Sequence, residues 1–217
     1  LAPWANRVRD ARFRRADREV ELTPNFPGGH AIHGLVGQRP WSLDDLVAAP
    51  DHAAVRCSLH HDGDGEEDGW PFPFHAQLAV GLDAASLSLA LSVTNVGNTP
   101  MPAALGFHPY FALPFLPGTR LEEYSMALPA GERWLCDEND CFTAVERRVD
   151  GSSVTTLEHA PTRARLEIVG SAAVREWQVY RPGGPRRMIA IEPQTCGIDA
   201  FNLAARGIDA GMMVLEP

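Results

Sequence analysis

The fold class is predicted most directly by the stretch Leu87-Ser88-Leu89-Ala90-Leu91-Ser92-Val93-Thr94, in which apolar and small or polar residues alternate. Successive side chains of a β-strand point to opposite faces, so this stretch predicts a strand with one leucine-rich face. The residues from Phe72 to Leu82 alternate in the same way. Such alternation is typical of antiparallel rather than parallel sheets.

Further strands are predicted at residues 165–169, 177–181, 187–192 and 211–215. The only helical signal is Ser42-Leu43-Asp44-Asp45, a capping-box pattern that predicts one short helical turn. The sequence therefore predicts an all-β protein. We expect a single domain over residues 1–217, a large antiparallel β-sandwich.

The composition limits the classes of function. The 217 residues are 45% hydrophobic and carry a net charge of -9, which argues against nucleic acid or an anionic membrane as partner. All 19 basic residues are arginine, so Schiff-base chemistry and Walker-type phosphate loops are excluded, since both need lysine. The four cysteines lack zinc-ligand spacing, and no stretch reaches the length of a membrane span. We expect a cytoplasmic protein with reduced thiols.

His108 is the first candidate catalytic residue. It lies in Gly106-Phe107-His108-Pro109-Tyr110-Phe111, between aromatic residues and before a proline that restricts the backbone. An imidazole at a rigid position beside apolar rings suits a proton donor or acceptor near neutral pH.

Glu192 is the second candidate. It ends the apolar run Ile189-Ala190-Ile191-Glu192, and alternation places it on one face with Met188 and Ala190. Taken alone, Glu192 is better explained as a strand-end carboxylate that reaches water. The alternative is a carboxylate in a pocket.

These segments together resemble the aldose 1-epimerase (galactose mutarotase) family, in order along most of the chain. The resemblance is carried by Asn6-Arg7-Val8, Ala31-Ile32-His33-Gly34, Gly106-Phe107-His108-Pro109-Tyr110-Phe111 and Ile191-Glu192-Pro193, with support from Asp68-Gly69-Trp70-Pro71-Phe72 and Thr94-Asn95-Val96-Gly97-Asn98.

The resemblance implies a sandwich with a sugar site on a sheet face, and an isomerase that interconverts the anomers of a free aldose. Glu192 would be the base on the anomeric hydroxyl and His108 the acid on the ring oxygen, on opposite sides of the sugar. The substrate would be bound by Asn6, Arg7, His33 and Asp140.

Two further expectations follow from the resemblance. Family members carry strands before the Asn-Arg motif, so we expect residues 1–217 to form the domain without those strands. The passage around residues 134–142 is also shorter than the family pattern.

The proposed chemistry needs Glu192 ionised and His108 protonated in the same molecule. We therefore expect a nearby carboxylate to raise the pKa of His108, and the alkaline limb of the pH profile to belong to that residue. No metal and no cofactor are expected.

Three alternatives stay open. A cupin-like metalloenzyme would use His30, His33, His108 and Glu192 as ligands, although the H-x-H spacing of that class is absent. A hexose-6-phosphate mutarotase would need extra arginines at the pocket, such as Arg120, Arg181 or Arg186. A non-catalytic sugar-binding protein would share the scaffold, since fold does not imply function. In the favoured interpretation the only partner is a small aldose, and the chain is a monomer or homodimer.

Overall fold

The computed structural model describes residues 1–16, 18–65, 68–129, 133–136, 139–143, 150–182 and 187–217, with residues 133–136 and 139–143 described for the backbone only. The chain divides into two compact units. Unit 1 contains Leu1–Leu105 and Ile198–Pro217, and unit 2 contains Gly106–Gly197. The expectation of a single domain stays a prediction.

The regular secondary structure of the described residues is almost entirely β-strand, which confirms the predicted class. In chain order the elements are β1 (Arg7–Val8), β2 (Arg12–Arg15), β3 (Arg18–Glu21), β4 (Ala31–Ile32), β5 (Ser42–Ala48), β6 (His52–His61), β7 (Phe74–Asp83), β8 (Leu87–Asn95), β9 (Met101–Ala103), β10 (Tyr110–Ala112), β11 (Tyr124–Ala127), β12 (Arg133–Cys136), β13 (Asn139–Thr143), β14 (Ser153–His159), β15 (Ala164–Gly170), β16 (Glu176–Tyr180), β17 (Met188–Gln194), α1 (Ala200–Ala205) and β18 (Met213–Leu215).

In unit 1 the two alternating stretches form the neighbouring strands β7 and β8 of an antiparallel sheet of order β5-β6-β7-β8. Val80 pairs with Leu89 and Leu78 with Leu91, so the alternating residues of the two strands share one apolar face. Smaller antiparallel pairs join β1 to β4, β2 to β3 and β18 to β9.

The helical turn predicted at Ser42 is wrong. Ser42–Ala48 is the edge strand β5, whose Leu43 and Leu46 pair with Cys57 and Val55 of β6 across an irregularity between Leu43 and Asp45. This shift places both leucines on the apolar face of the sheet. Tertiary pairing therefore overrides the local capping pattern. The short helix α1 was not predicted.

An aromatic cluster holds unit 1 together. Trp70, which is fully buried, has its ring centroid 5.4 Å from Trp4, 5.7 Å from Phe13 and 5.3 Å from Phe72. Phe201 of α1 packs edge-on against Phe13 at 4.9 Å, which brings the C-terminal segment into this core. Buried aromatic rings contribute large apolar areas, so the cluster makes a large hydrophobic contribution to this unit.

Unit 2 consists of two antiparallel sheets. One has the order β10-β17-β16-β13-β12 and the other β11-β14-β15. Trp177, Val179, Ile189 and Ile191 from the first sheet form one core cluster with Leu157 of the second, and Trp177 Nε1 donates to Ser153 Oγ at 3.0 Å. Because these side chains occupy one face of β16 and β17, the opposite face carries the intervening residues, which include Gln178 and Glu192.

Within the described part of the chain, no helix is long and apolar enough to cross a membrane. The expected cytoplasmic location stays a prediction.

Candidate active site

The strand register of unit 2 places His108 opposite Glu192. Gly106 bridges Gln194, and Tyr110 pairs with Ala190, so the segment before β10 runs antiparallel to β17. Phe107 N donates to Pro193 O at 3.1 Å, and Ile191 N donates to Pro109 O at 3.3 Å. Pro109 has no N–H for the ladder. The His-Pro segment thus keeps the antiparallel register with β17, and the imidazole lies on the same sheet face as the Glu192 carboxyl.

The two predicted catalytic side chains are in direct contact. His108 Nε2 lies 3.0 Å from Glu192 Oε1, and the side chains are 20% and 1% exposed. The alternative in which Glu192 reaches water at a strand end is therefore wrong. The His108 ring stacks on that of Tyr110 at a centroid distance of 4.9 Å. Tyr110 is thus one of the aromatic residues predicted to lie beside the imidazole.

Two buried amides flank Glu192 and were not predicted from the sequence. Gln194 Nε2 donates to Glu192 Oε2 at 2.9 Å, and Gln194 is fully buried. Gln178 pairs with Glu192 across β16 and is also fully buried. The sequence did contain a signal: each glutamine lies within a largely apolar strand. A polar side chain that is buried in such a strand needs a hydrogen-bond partner.

Burial shifts the pKa values of the contacting pair in opposite directions. It raises the pKa of Glu192 to about 8, and the hydrogen bond from Gln194 opposes this rise. It lowers the pKa of His108 from 6.5, and a backbone hydrogen bond opposes this fall. Desolvation disfavours the charged form of each group. Both shifts favour the neutral forms, and in a neutral pair that holds one proton the 3.0 Å contact would have Glu192 Oε1 donate to His108 Nε2.

The predicted rise in the His108 pKa is wrong in direction. That prediction required an ionised carboxylate beside the imidazole, which would stabilise the imidazolium. The carboxyl group in contact is that of Glu192, and burial raises its pKa to about 8, which favours the neutral form of this group. Burial therefore determines the direction of the His108 shift.

The predicted arrangement on opposite sides of a sugar also needs correction. Groups that lie 3.0 Å apart leave no space for a sugar ring between them. In this structure they lie side by side on one sheet face, because they are cross-strand neighbours. A bound sugar would have to present two oxygens to the same side.

The Asn-Arg and His-Gly motifs are brought together in unit 1. Arg7 pairs with Ile32 between β1 and β4, and His33 N donates to Asn6 O at 3.0 Å. The buried Asn6 accepts from Arg7 N through Oδ1 at 2.9 Å, and the Arg7 guanidinium lies 5.1 Å from the centre of the Phe26 ring. The roles of Asn6, Arg7 and His33 in substrate binding stay predictions.

Gly34 explains the glycine of the His-Gly motif. Its φ is +68°, and a Cβ at this position would lie 2.1 Å from Ala2 O. Any other residue would force the chain near Ala2 to move, so the motif requires glycine. His33 is held at φ 65° immediately before it.

Asp140, the predicted substrate-binding residue in the shortened passage, is described only for its backbone. It pairs with Val179 between β13 and β16. Its side chain lies outside the described residues, so its role stays a prediction.

The cupin-like alternative is not supported by the residues that the structure describes. Among them, no three His, Cys, Asp or Glu residues form a group that could hold a metal ion. Instead, His30 Nδ1 accepts a hydrogen bond from Asp10 N at 2.9 Å, which gives this histidine a structural role.

The arginines relevant to a phosphorylated substrate line a different groove of unit 2. Arg120, Arg181 and Arg187 border a cavity of about 540 Å³ next to Met188 and Ile189. This cavity lies at the beginning of β17, whereas Glu192 lies near its end, and neither His108 nor Glu192 lines it. Arg186 lies outside the described residues. The groove does not favour a phosphate beside the pair.

A buried carboxyl and an imidazole in hydrogen-bond contact, on one face of an antiparallel sheet, define a site for general acid–base chemistry. The family is shown by a sequence comparison: the family model described as aldose 1-epimerase matches residues 1–217. This chain belongs to the aldose 1-epimerase family.

Individual proteins and solved structures are also similar to this chain. The uncharacterized protein YihR of Escherichia coli K12 is 26% identical over 241 residues, which cover 100% of this chain and 73% of YihR. A galactose mutarotase-like protein from Clostridium acetobutylicum has a similar structure, with a TM-score of 0.86 at 20% identity over 99% of this chain and 73% of its own. The galactose 1-epimerase of Lactobacillus acidophilus gives a TM-score of 0.70 at 17% identity, over 99% and 76% of the two chains. These similarities confirm the galactose mutarotase-like fold.

Proposed function

We propose that this protein is an aldose 1-epimerase that interconverts the α- and β-anomers of a free aldose, with Glu192 and His108 as the catalytic pair. The observation that carries the proposal is the 3.0 Å contact between Glu192 Oε1 and His108 Nε2, in a chain of the aldose 1-epimerase family. A paired acid and base is what ring opening needs, whereas binding alone does not require it.

The reaction consists of two proton transfers and one reversible bond cleavage. A base takes the proton of the anomeric hydroxyl, an acid protonates the ring oxygen, and the bond between C1 and the ring oxygen breaks to give the open-chain aldehyde. Rotation about C1–C2 presents the other carbonyl face. Reclosure returns both protons, so the protein ends in its initial protonation state.

The side-by-side geometry suits this chemistry because the two reacting oxygens share one carbon. The anomeric oxygen and the ring oxygen are both bonded to C1, and neighbouring acid and base groups can contact them from one side. The neutral pair and the ion pair of ionised Glu192 and protonated His108 differ only by a shift of one proton along the hydrogen bond. The state with Glu192 as base and His108 as acid therefore needs no proton from solvent.

Polarimetry tests the proposal directly. Freshly dissolved α-glucose or α-galactose should approach its equilibrium rotation faster with the protein than in buffer, and the rate should rise with protein concentration. The acceleration should persist after treatment with EDTA, since proton transfer between the pair needs no Lewis acid. Unchanged rates across common aldoses, with sugar binding retained, would favour a sugar-binding protein. Loss of activity on chelation would favour a metalloenzyme.

The pH dependence follows from the number of protons that the pair holds. We expect a bell-shaped profile of kcat/KM, because only the state with one proton contains both an acid and a base. The alkaline limb should lie near pH 8, where Glu192 loses its proton. The acidic limb should lie below pH 6.5, where His108 gains a second proton for the pair.

The two limbs report apparent pKa values of the coupled pair, so variants are needed to assign each value to a residue. Initial rates in buffers from pH 4 to 10, corrected for the spontaneous reaction, are the measurement. Activity that keeps rising well above pH 8 would contradict the raised pKa of Glu192.

A hexose-6-phosphate mutarotase is the second candidate, and the same assay separates the two. The free sugar should be the better substrate, because neither His108 nor Glu192 lines the groove that the described arginines border. A strong preference for the 6-phosphate would overturn this choice.

A further inference from the structure

Glu192 contacts two different partners through its two carboxyl oxygens. Oε1 lies 3.0 Å from His108 Nε2, and Oε2 accepts a hydrogen bond from Gln194 Nε2 at 2.9 Å. An amide nitrogen only donates, so it favours an unprotonated oxygen at Oε2. The proton of the carboxyl, when present, is therefore directed to Oε1, beside His108.

Gln194 is itself held rigidly. Its backbone O accepts from Arg175 N at 2.9 Å, and the residue pairs with Glu176 on one side and bridges Gly106 on the other. A Cβ at Gly106 would lie 2.9 Å from Gln194 Cγ, so the glycine provides the space for this side chain. Glycine at position 106 and glutamine at position 194 are thus coupled by packing.

Burial of the Gln194 amide also carries an energetic cost. Gln194 Oε1 is buried and has no hydrogen-bond partner among the described residues. A buried polar atom without a partner is destabilising. The Nε2 atom of the same amide contacts the proposed catalytic carboxyl, so the amide serves to hold that carboxyl in position.

We infer that Gln194 is a positioning residue, which holds Glu192 with Oε1 turned toward His108 and keeps its Oε2 unprotonated. This inference rests on the proposed function. Gln194 does not exchange a proton with the sugar in this scheme, because it acts through Glu192. Its hydrogen bond also opposes the rise in the Glu192 pKa.

The test uses Gln194→Met, which keeps an unbranched side chain of similar length and removes the donor. We expect kcat to fall by about 10- to 100-fold, as for the loss of a hydrogen bond to a charged group, with KM little changed. The alkaline limb of the pH profile should move to higher pH. Gln194→Glu is the second variant, because it keeps the shape and should raise the limb further by placing a second carboxyl beside Glu192.

The matched control is Thr155→Val. Thr155 is fully buried in β14 of the other sheet of unit 2, so the substitution removes a buried polar group outside the proposed site. Its kcat and pH limbs should equal those of the wild type. A general loss of packing in Gln194→Met would lower thermal stability without moving the alkaline limb.

A second readout does not depend on activity. Carbon-13 NMR titration of the Glu192 carboxyl in the ligand-free protein should give a higher pKa in Gln194→Met than in the wild type, and an unchanged pKa in Thr155→Val. If the wild type lacks mutarotase activity, the proposed function fails, and the titration alone decides whether Gln194 controls Glu192. An unchanged Glu192 pKa, or an unchanged kcat in an active protein, overturns the inference.

Discussion

Glu192→Gln is expected to lower kcat for anomer interconversion by about 10²–10⁴-fold, the usual contribution of a general acid–base catalyst. Glutamine keeps the size and planarity of the side chain but has no proton to exchange at neutral pH. Sugar binding should remain similar to that of the wild type, because the shape of the site is preserved. Polarimetric kcat and the affinity from calorimetry are the two measurements.

The same substitution should stabilise the fold, which separates loss of chemistry from loss of structure. Glu192 has a pKa of about 8 in the folded chain, above the ordinary value of 4.5. The folded state therefore binds more protons between these values, and wild-type stability falls as pH rises through them. Relative to Glu192→Gln, the wild type should lose up to about 1.4 kcal/mol per pH unit in this window. Urea unfolding at pH 5 and pH 8 measures the difference.

Unit 2 offers a matched control for this experiment. Glu123 Oε2 lies 3.3 Å from Nε2 of the buried His159, a second carboxylate–imidazole contact. A backbone hydrogen bond from Arg120 lowers the pKa of Glu123, so this carboxylate stabilises the fold above its ordinary pKa, and the contribution is lost on acidification. Glu123→Gln should therefore reduce stability at neutral pH and leave kcat nearly unchanged. Equal losses of kcat in both variants would remove Glu192 from the mechanism.

The alternation of apolar residues was sufficient to predict the fold class and several strands. The stretch around Leu89 alternates with a period of two, which indicates a strand, whereas the run ending at Glu192 is continuously apolar and forms a strand that is buried along most of its length. The turn at Ser42 was wrong because capping patterns are local, whereas an edge strand is stabilised by its neighbour. The division into two units depends on contacts that no sequence pattern specifies.

The candidate site was predicted only in part. The residues His108 and Glu192 follow from their motifs, but their contact depends on a register set by the pairing of Tyr110 with Ala190. The direction of the His108 pKa shift depends on burial, which is a property of the folded chain. Gln194 lies two residues after Glu192, yet its role appears only when both side chains are seen on one face.

His108→Gln should reduce kcat by about 10²–10⁴-fold, since it removes the partner that exchanges the proton with Glu192. The residual activity should lose the acidic limb below pH 6.5, because that limb reports the second proton on the pair. The alkaline limb should be lost as well, and the residual activity should rise as Glu192 ionises, since Glu192 is the base that remains. His159→Gln is the matched control: it alters a buried histidine of unit 2 outside the pair, and should reduce stability rather than turnover.

The double variant tests whether the two groups act as one unit. If Glu192 and His108 share the proton that the reaction moves, removing either one disables both, and the second substitution has little left to remove. Glu192→Gln combined with His108→Gln should therefore be about as active as the less active single variant. Free energies of activation that add fully would show two independent contributions. Additivity would contradict a catalytic pair coupled through the 3.0 Å contact, even if each residue proved essential.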